Sequence, residues 1–476
     1  MLKRLFQRLF SRSSPPSGRA KPAGASRHPT QQDQLDELDR QAPLKENVAA
    51  KASETPEADG EPLGAAVICR EPVLNRQQKI AGYQFMLHEA MRGNIRTRSR
   101  RVLHLCTEVL VQNLLRANIA PLLGKRYAFI DIPDSFLDNE CLTRLPTENA
   151  FFIIRPLPGI DQPSADFLLT HVRALRERGY RVGIQDPIAV KAYSHLLSEI
   201  DLVCMQGPHV DIEQGMKLVR LILKLAPNAA LLVRDLPGME DFDFCFKIGA
   251  TLFQGAFVTA REHWEARNLG PNFARITLLM NKLRQDAETR ELVALLKQDA
   301  AITLRLLRYI NSAANGLREN VSSIERALAL LGRAPLQRWL ALLLCAGDRK
   351  QARADAVLES ALVRARTMEL LAAMRPPAER EAMFLTGLLS LIDVILQQPM
   401  EHALQSLLID EEIRDALLHD SGPYAAALNL ARACEHMEVD RMVDYAAECG
   451  IDAEQASTWY MDALAWTLTL QKDDIG

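Results

Sequence analysis

Eight short apolar runs between residues 65 and 268 constrain this chain more than any other feature: AAVICR, IAGYQFML, YAFIDI, FFIIR, RVGIQ, DLVCM, ALLVR and TLFQG. Most are separated by segments of helical length, among them Ala165–Arg178, Glu213–Leu225 and Met239–Ile248. Such alternation predicts a parallel α/β sheet with helices packed outside it, and about eight strands suggest closure into a barrel. The first two runs, separated by EPVLNRQQK, look like a hairpin, so one strand is expected to run antiparallel. From Phe273 onward the chain reads as helical, and Asn268-Leu269-Gly270-Pro271 marks the change. The expected division is a tail over residues 1–63, a β/α barrel over 64–268 and an all-helical domain over 269–476.

The tail stands apart in composition. Up to Thr30 it has no acidic residue, whereas Gln31 to Glu61 is rich in Asp and Glu. Such polar, sign-blocked sequence buries too little to fold alone, so disorder is expected. Leu2, Leu5, Phe6, Leu9 and Phe10 share one helical face beside Lys3, Arg4 and Arg8. A short basic helix over residues 1–12, in weak contact with an anionic inner-membrane surface, is the alternative to a disordered start.

The rest bounds the function classes. A net charge of −3 argues against a nucleic-acid partner held by phosphate neutralisation. Eight scattered cysteines without a CxxC indicate neither a zinc cluster nor a disulfide framework, and fit reduced cytosolic thiols. No apolar run approaches the roughly 20 residues of a membrane span. A cytoplasmic protein is expected.

The most informative local stretch is DAAITLRLLRYINSAANGLRENVSSIERALALLGRAPLQRWLALLL, from Asp299 to Leu344. It reads as three helices. The first runs through Leu304, Leu307 and Ile310 to Asn311-Ser312, and Gly316 lets the chain turn. Ser322 and Glu325 form a capping box for the second, which ends at Gly332. Pro335 opens the third, whose Leu336, Trp339, Leu340, Leu343 and Leu344 make a core-facing stripe. This order of motifs resembles the HDOD domain of bacterial signalling proteins, with Asn311, Ser312, Gly316, Ser323, Gly332 and Trp339 as its signature. The resemblance implies an HD-phosphohydrolase-related helical bundle without its metal ligands. The HD metal pair falls on Ser390-Leu391, and SALVRARTMELLA, where an earlier histidine belongs, has none. His419-Asp420 reads as a helix-end histidine and a turn aspartate. Arg308, Arg318, Arg333 and Arg338 are expected on the exposed side, as contact points.

The strand order before it, with G-Y-x-x-x-L, G-Y-R-V-G-I-x-D and L-F-Q-G, resembles the EAL domain, a TIM-type barrel that hydrolyses cyclic di-GMP with two metal ions. Carried over residue by residue, the signature glutamate falls on Gln84 and its arginine on His88. The metal-binding asparagine is Asp131, and the next glutamate is Arg155. The paired aspartates are Gln185 and Asp186, followed by Pro187. The K-x-D strand is Cys204-Met205-Gln206, and the later glutamate is Arg234. Asp131, Asp186 and Gln254 alone keep comparable chemistry. Two hard cations need several anionic oxygens, and this set brings two arginines. Arg155 and Arg234 suit an anion or pair with local carboxylates such as Asp131, Asp186 or Asp235.

No Walker A loop, G-x-S-x-G or H-E-x-x-H occurs. The expected protein is therefore a bacterial two-domain regulator, EAL-like barrel then HDOD domain, acting through protein contacts. It is expected to be no enzyme, to need no cofactor and not to bind cyclic di-GMP. A metal-independent receptor for cyclic di-GMP or another anion, and a residual phosphodiesterase or phosphohydrolase, are the alternatives.

Overall fold

The computed structural model describes residues 68–87, 100–116, 123–157, 162–185, 191–207, 212–266, 270–311, 321–346, 353–436 and 438–471. The tail, with its basic segment at 1–12, lies outside the described residues, as do His88, Asp186, Pro187, Ser312, Gly316 and Arg318.

Eight strands close into a barrel in sequence order. They are β1 (Ile68–Asn75), β2 (Ile80–Leu87), β3 (Tyr127–Pro133), β4 (Ala150–Arg155), β5 (Arg181–Gln185), β6 (Leu202–Gln206), β7 (Ala230–Arg234) and β8 (Leu252–Gln254). β1 is antiparallel to both β2 and β8, and the other neighbours are parallel. The hairpin connection is shorter than EPVLNRQQK. β1 continues through Glu71 and Pro72 to Asn75, and the Asn75 side chain accepts from the Gln77 and Lys79 N–H groups to close the turn. Glu-Pro looks like turn chemistry, but Val73 and Leu74 beyond it are fully buried, which keeps the segment in the barrel.

Strand alternation sorts the side chains. Val73, Phe129, Phe151, Ile153, Leu202, Cys204 and Leu232 fill the barrel interior. Phe85, Ile130, Ile132, Phe152, Ile154 and Val203 face out, into a core with the surrounding helices. These helices are α1 (Arg100–Arg116), α2 (Ala165–Glu177), α3 (Ile212–Leu225) and α4 (Met239–Ile248).

The helical half comprises α5 (Pro271–Arg284), α6 (Thr289–Lys297), α7 (Ala300–Ile310), α8 (Ile324–Leu331), α9 (Arg333–Cys345), α10 (Ala354–Leu371), α11 (Pro377–Leu389), α12 (Ile392–Leu396), α13 (Met400–Gln405), α14 (Glu411–Leu418), α15 (Ala425–His436), α16 (Val439–Glu448) and α17 (Ala453–Gln471). Asp299 caps α7 by accepting from Ala301 N–H at 2.9 Å and Ile302 N–H at 3.0 Å. The buried face of α7 is Ile302, Leu306, Tyr309 and Ile310, whereas Leu304 is exposed. The cap of α8 is Ser323, which accepts from Arg326 N–H at 3.2 Å, and not Ser322. That one-residue shift moves Glu325 out of reach of a capping box, and it pairs with Lys297 at 2.7 Å instead. Gly332, at φ 75°, ends α8, and α9 leaves it bent by 107°. Pro335 therefore sits inside the first turn of α9, where the missing N–H costs nothing, and does not open it.

At Gly387 a Cβ would stand 2.6 Å from the Ala365 backbone, so α10 and α11 approach as closely as glycine permits. Barrel and bundle belong to one compact unit. α17 brings Met461, Leu464 and Leu468 into the outer core of the barrel. Among the described residues, no single helix is long and apolar enough to cross a membrane.

Candidate functional site

Inward-facing polar residues gather at the C-terminal ends of the parallel strands. Asp131 of β3 is the hub. Arg234 of β7 donates to it through both terminal nitrogens, at 2.8 and 2.9 Å, a paired guanidinium–carboxylate contact. Gln84 of β2 donates to the same carboxylate at 3.0 Å. Arg155 of β4 approaches it at 3.7 Å, and its Nε donates to the Gln185 amide oxygen at 3.3 Å. Burial alone would raise the Asp131 pKa, but Arg234, then Arg155 and Gln84, hold it below the ordinary carboxylate value. Burial would likewise lower Arg234, and Asp131 reverses that.

One member of this ring was not legible as a site residue. Glu71 of β1 accepts a hydrogen bond from the Gln254 side chain of β8. Burial pushes its pKa up, against the Gln254 hydrogen bond. The cue is alternation, since Glu71 precedes inward-facing Val73 by two residues, but reading Glu-Pro as a turn hides it. Cys204 is fully buried within the barrel, and Gln206 is exposed at the strand end. Arg234 Nε and Gln254 Oε1 are buried and make no hydrogen bond. A small cavity of about 60 Å³ adjoins the ring, lined by Met86, Leu103, Asp131, Pro133 and Arg155 among others. A larger groove of about 970 Å³, flanked by His104, Glu108, Asp138 and His171, shares no residue with the ring.

These side chains do not fit a pair of divalent cations. Both oxygens of Asp131 are engaged by a guanidinium, and no group of three or more His, Cys, Asp or Glu able to hold a metal occurs among the described residues. The fixed positive charge of Arg155 and Arg234 occupies the region where cations would need anionic oxygens.

In the bundle, Ser390, where the HDOD resemblance puts the HD metal pair, lies beside a buried charge pair. Arg364 of α10 donates to Ser390 Oγ at 3.2 Å and pairs with Glu435 of α15 at 2.5 Å. Burial would raise Glu435, but Arg364, together with His436 and Arg70, outweighs it and holds it at about 2. Leu391 is a core residue. His419 ends α14, and Asp420, at φ 47°, accepts from Arg432 at 2.6 Å. Cys434 is buried, and His436 is exposed.

Asn311 and Trp339 have structural partners. Asn311 brackets its loop, donating to Val321 O and accepting from Val321 N–H, both at 2.6 Å. Trp339 is fully buried and stacks on Tyr309, with ring centroids 6.2 Å apart. Arg308 and Arg333 are exposed. Arg338 is not: its guanidinium lies 3.4 Å from the Phe384 ring centroid and pairs with Glu369 at 2.7 Å and Glu381 at 3.4 Å. It covers part of the helix packing, which a stripe count along one helix does not show.

Comparison with known proteins places these halves. Residues 270–438 match the family described as HDOD domain. Those residues, α5 to α15, form an HDOD domain. Over 407 residues the chain is 23% identical to the cyclic di-GMP phosphodiesterase CdgJ of Vibrio cholerae, covering 85% of this chain and 93% of that protein. Over 411 residues it is 22% identical to the uncharacterized protein YuxH of Bacillus subtilis, covering 84% and 97% of the two chains. An EAL domain protein from Listeria monocytogenes is similar in structure, with 15% identity, a TM-score of 0.33, and coverage of 40% of this chain and 87% of that one. The architecture is thus an EAL-like barrel joined to an HDOD domain, that of a signalling protein. One expectation is corrected: that the chain is no enzyme is overturned by its relation to a protein named as a cyclic di-GMP phosphodiesterase, and the expectation that it does not bind the nucleotide runs against that same relation. The barrel substitutions remove cation ligands, and loss of ligands is not itself a measure of activity.

Proposed function

We propose that this chain is a cyclic di-GMP signalling protein of the phosphodiesterase kind, which takes the nucleotide at the mouth of its EAL-like barrel. The observation that carries this reading is the alignment with CdgJ over 93% of that protein's length, spanning barrel and HDOD domain together. The mouth supplies compatible chemistry. Arg155, a quarter exposed, offers a guanidinium to a phosphate, and Arg234 lies behind it on Asp131. Gln206 and the buried amide oxygen of Gln254 are hydrogen-bonding groups suited to base edges. Because the residues do not fit two cations, no step is assigned to metal here.

The test uses full-length protein and cyclic di-GMP, with Mg²⁺ or Mn²⁺ and with chelator. Calorimetry follows binding, and chromatography follows opening to the linear dinucleotide. Binding with formation of linear product is expected, and Arg155→Ala should weaken binding about tenfold or more, as loss of a charge-assisted hydrogen bond does. Absence of both binding and product overturns the reading.

A further inference from the structure

We propose that Glu359, on α10 of the HDOD domain, is a positioning residue for the barrel mouth, acting through strands β1 and β2. The inference rests on the mouth being the nucleotide site.

Three groups from the barrel converge on this one carboxylate. Arg70 of β1 reaches Glu359 Oε1 at 3.3 Å, and the Tyr83 hydroxyl of β2 donates to the same oxygen at 2.5 Å. Arg126, just before β3, donates to Glu359 Oε2 at 3.3 Å and to the Tyr83 hydroxyl at 2.7 Å. The Arg70 guanidinium also lies 4.7 Å from the Tyr83 ring centroid and 5.9 Å from that of Tyr460 on α17. Arg70, Tyr83 and Glu359 are all buried, at 4%, 0% and 1% exposure. A buried charge set of this kind holds only in a satisfied geometry, because water cannot replace a lost partner.

The residues behind this anchor are the mouth residues. Successive strand residues face opposite sides. Arg70 and Tyr83 point outward to the HDOD domain, so their neighbours Glu71 and Gln84 point inward, and these two are paired in the β1–β2 register. Gln84 donates to Asp131, which carries Arg234, and Glu71 accepts from Gln254. Glu71 also senses Asp235 and Arg234 beside it, and His436 of α15. A shift of either strand against Glu359 therefore moves two side chains of the ring. Sliding by one residue is barred, since it would turn Arg70 into the barrel and Glu71 out of it.

The experiment compares Glu359→Gln with wild type in the full-length protein. The Arg234 Nε–Hε NMR resonance, assigned with Arg234→Lys, reports on the mouth without nucleotide, and calorimetry with cyclic di-GMP reports on binding. Glu359→Gln should shift that resonance and weaken binding by about tenfold, within the usual range of coupling between sites. Its effect should be non-additive with Glu71→Gln. Glu381→Gln, a bundle carboxylate paired with Arg338 and not with the barrel, should change neither. Tyr83→Phe removes the hydroxyl's two hydrogen bonds, to Glu359 and from Arg126, but leaves Glu359 its two arginines, and carries the same comparison if Glu359→Gln does not fold. An unchanged Arg234 resonance in a folded variant, or additive binding effects, overturns the proposal. If wild type binds no cyclic di-GMP, the functional reading falls, and the Arg234 resonance alone then decides for or against the coupling.

Discussion

Trp339 and its neighbour Arg338 show how differently two adjacent residues depend on context. The tryptophan lies on an apolar stripe of α9, and the structure buries it completely against Tyr309. Trp339→Ala should cost about 3–5 kcal/mol in chemical denaturation, from lost transfer energy and the cavity left behind. A fixed charge one step along a helix reads as solvent-facing, and a near-neutral Arg338→Ala would follow. Instead its guanidinium is held between Phe384 and two carboxylates from α10 and α11. Burial would raise both carboxylates. Arg338 and Arg366 bring Glu369 below its ordinary value, whereas Glu381 stays above it. Arg338→Ala should therefore destabilise by about 3 kcal/mol, since removing one partner of a buried pair strands the other. The same denaturation curves check both residues, and a loss under about 0.5 kcal/mol for Arg338→Ala would return it to the surface class.

Elements are legible in the sequence where the signal is local. β2, β5, β7 and α4 occupy the spans of their apolar patterns. The sequence misleads where two local signals compete, as at Glu71-Pro72 and at Ser322-Ser323, and there burial chooses. How elements hold one another is a further matter. α10, α11 and α15 are tied by Arg364, Ser390 and Glu435. Glu435 has a folded pKa of about 2 against an ordinary 4.5. A carboxylate depressed in the folded state stabilises fully above its unfolded pKa, and that contribution is lost as pH falls through the folded one. Thermal stability should thus decline between about pH 4.5 and pH 2. Glu435→Gln should lower stability at neutral pH and flatten that acid decline, measured by melting temperature against pH. A parallel decline in wild type and variant would remove Glu435 as a contributor.

At the scale of the molecule, the barrel and the HDOD domain share charged ties and a helix. Besides Arg70 and Arg126 on Glu359, Arg261 pairs with Asp393 at 2.5 Å, and Arg353 reaches Phe257 O and Glu262, both at 2.8 Å. α17 lies beyond the matched HDOD residues and packs three apolar side chains into the barrel's outer core. Deleting residues 453–471 should therefore destabilise the barrel by several kcal/mol, at about 1.5–3 kcal/mol for each buried side chain. Faster amide exchange in β1 and β2 would register it. A deletion that leaves those amides protected would mean the barrel is stable without the last helix.

What the sequence determined alone is whatever repeats within a few residues: strand-helix alternation, the three-helix HDOD motif, and the arginines and glutamines at strand ends. Backbone sterics and burial period act over one or two turns, so their marks are local. Only the tertiary structure decided that Arg234 and Arg155 share Asp131, that Glu71 faces the mouth, and that Glu359 stands behind it. Asp131 and Arg234 are 103 residues apart, and Arg70 and Glu359 are 289. A charge leaves no periodic trace of its distant partner. That pairing is set by which strands neighbour one another and which helix covers them, and so exists only once the chain has closed.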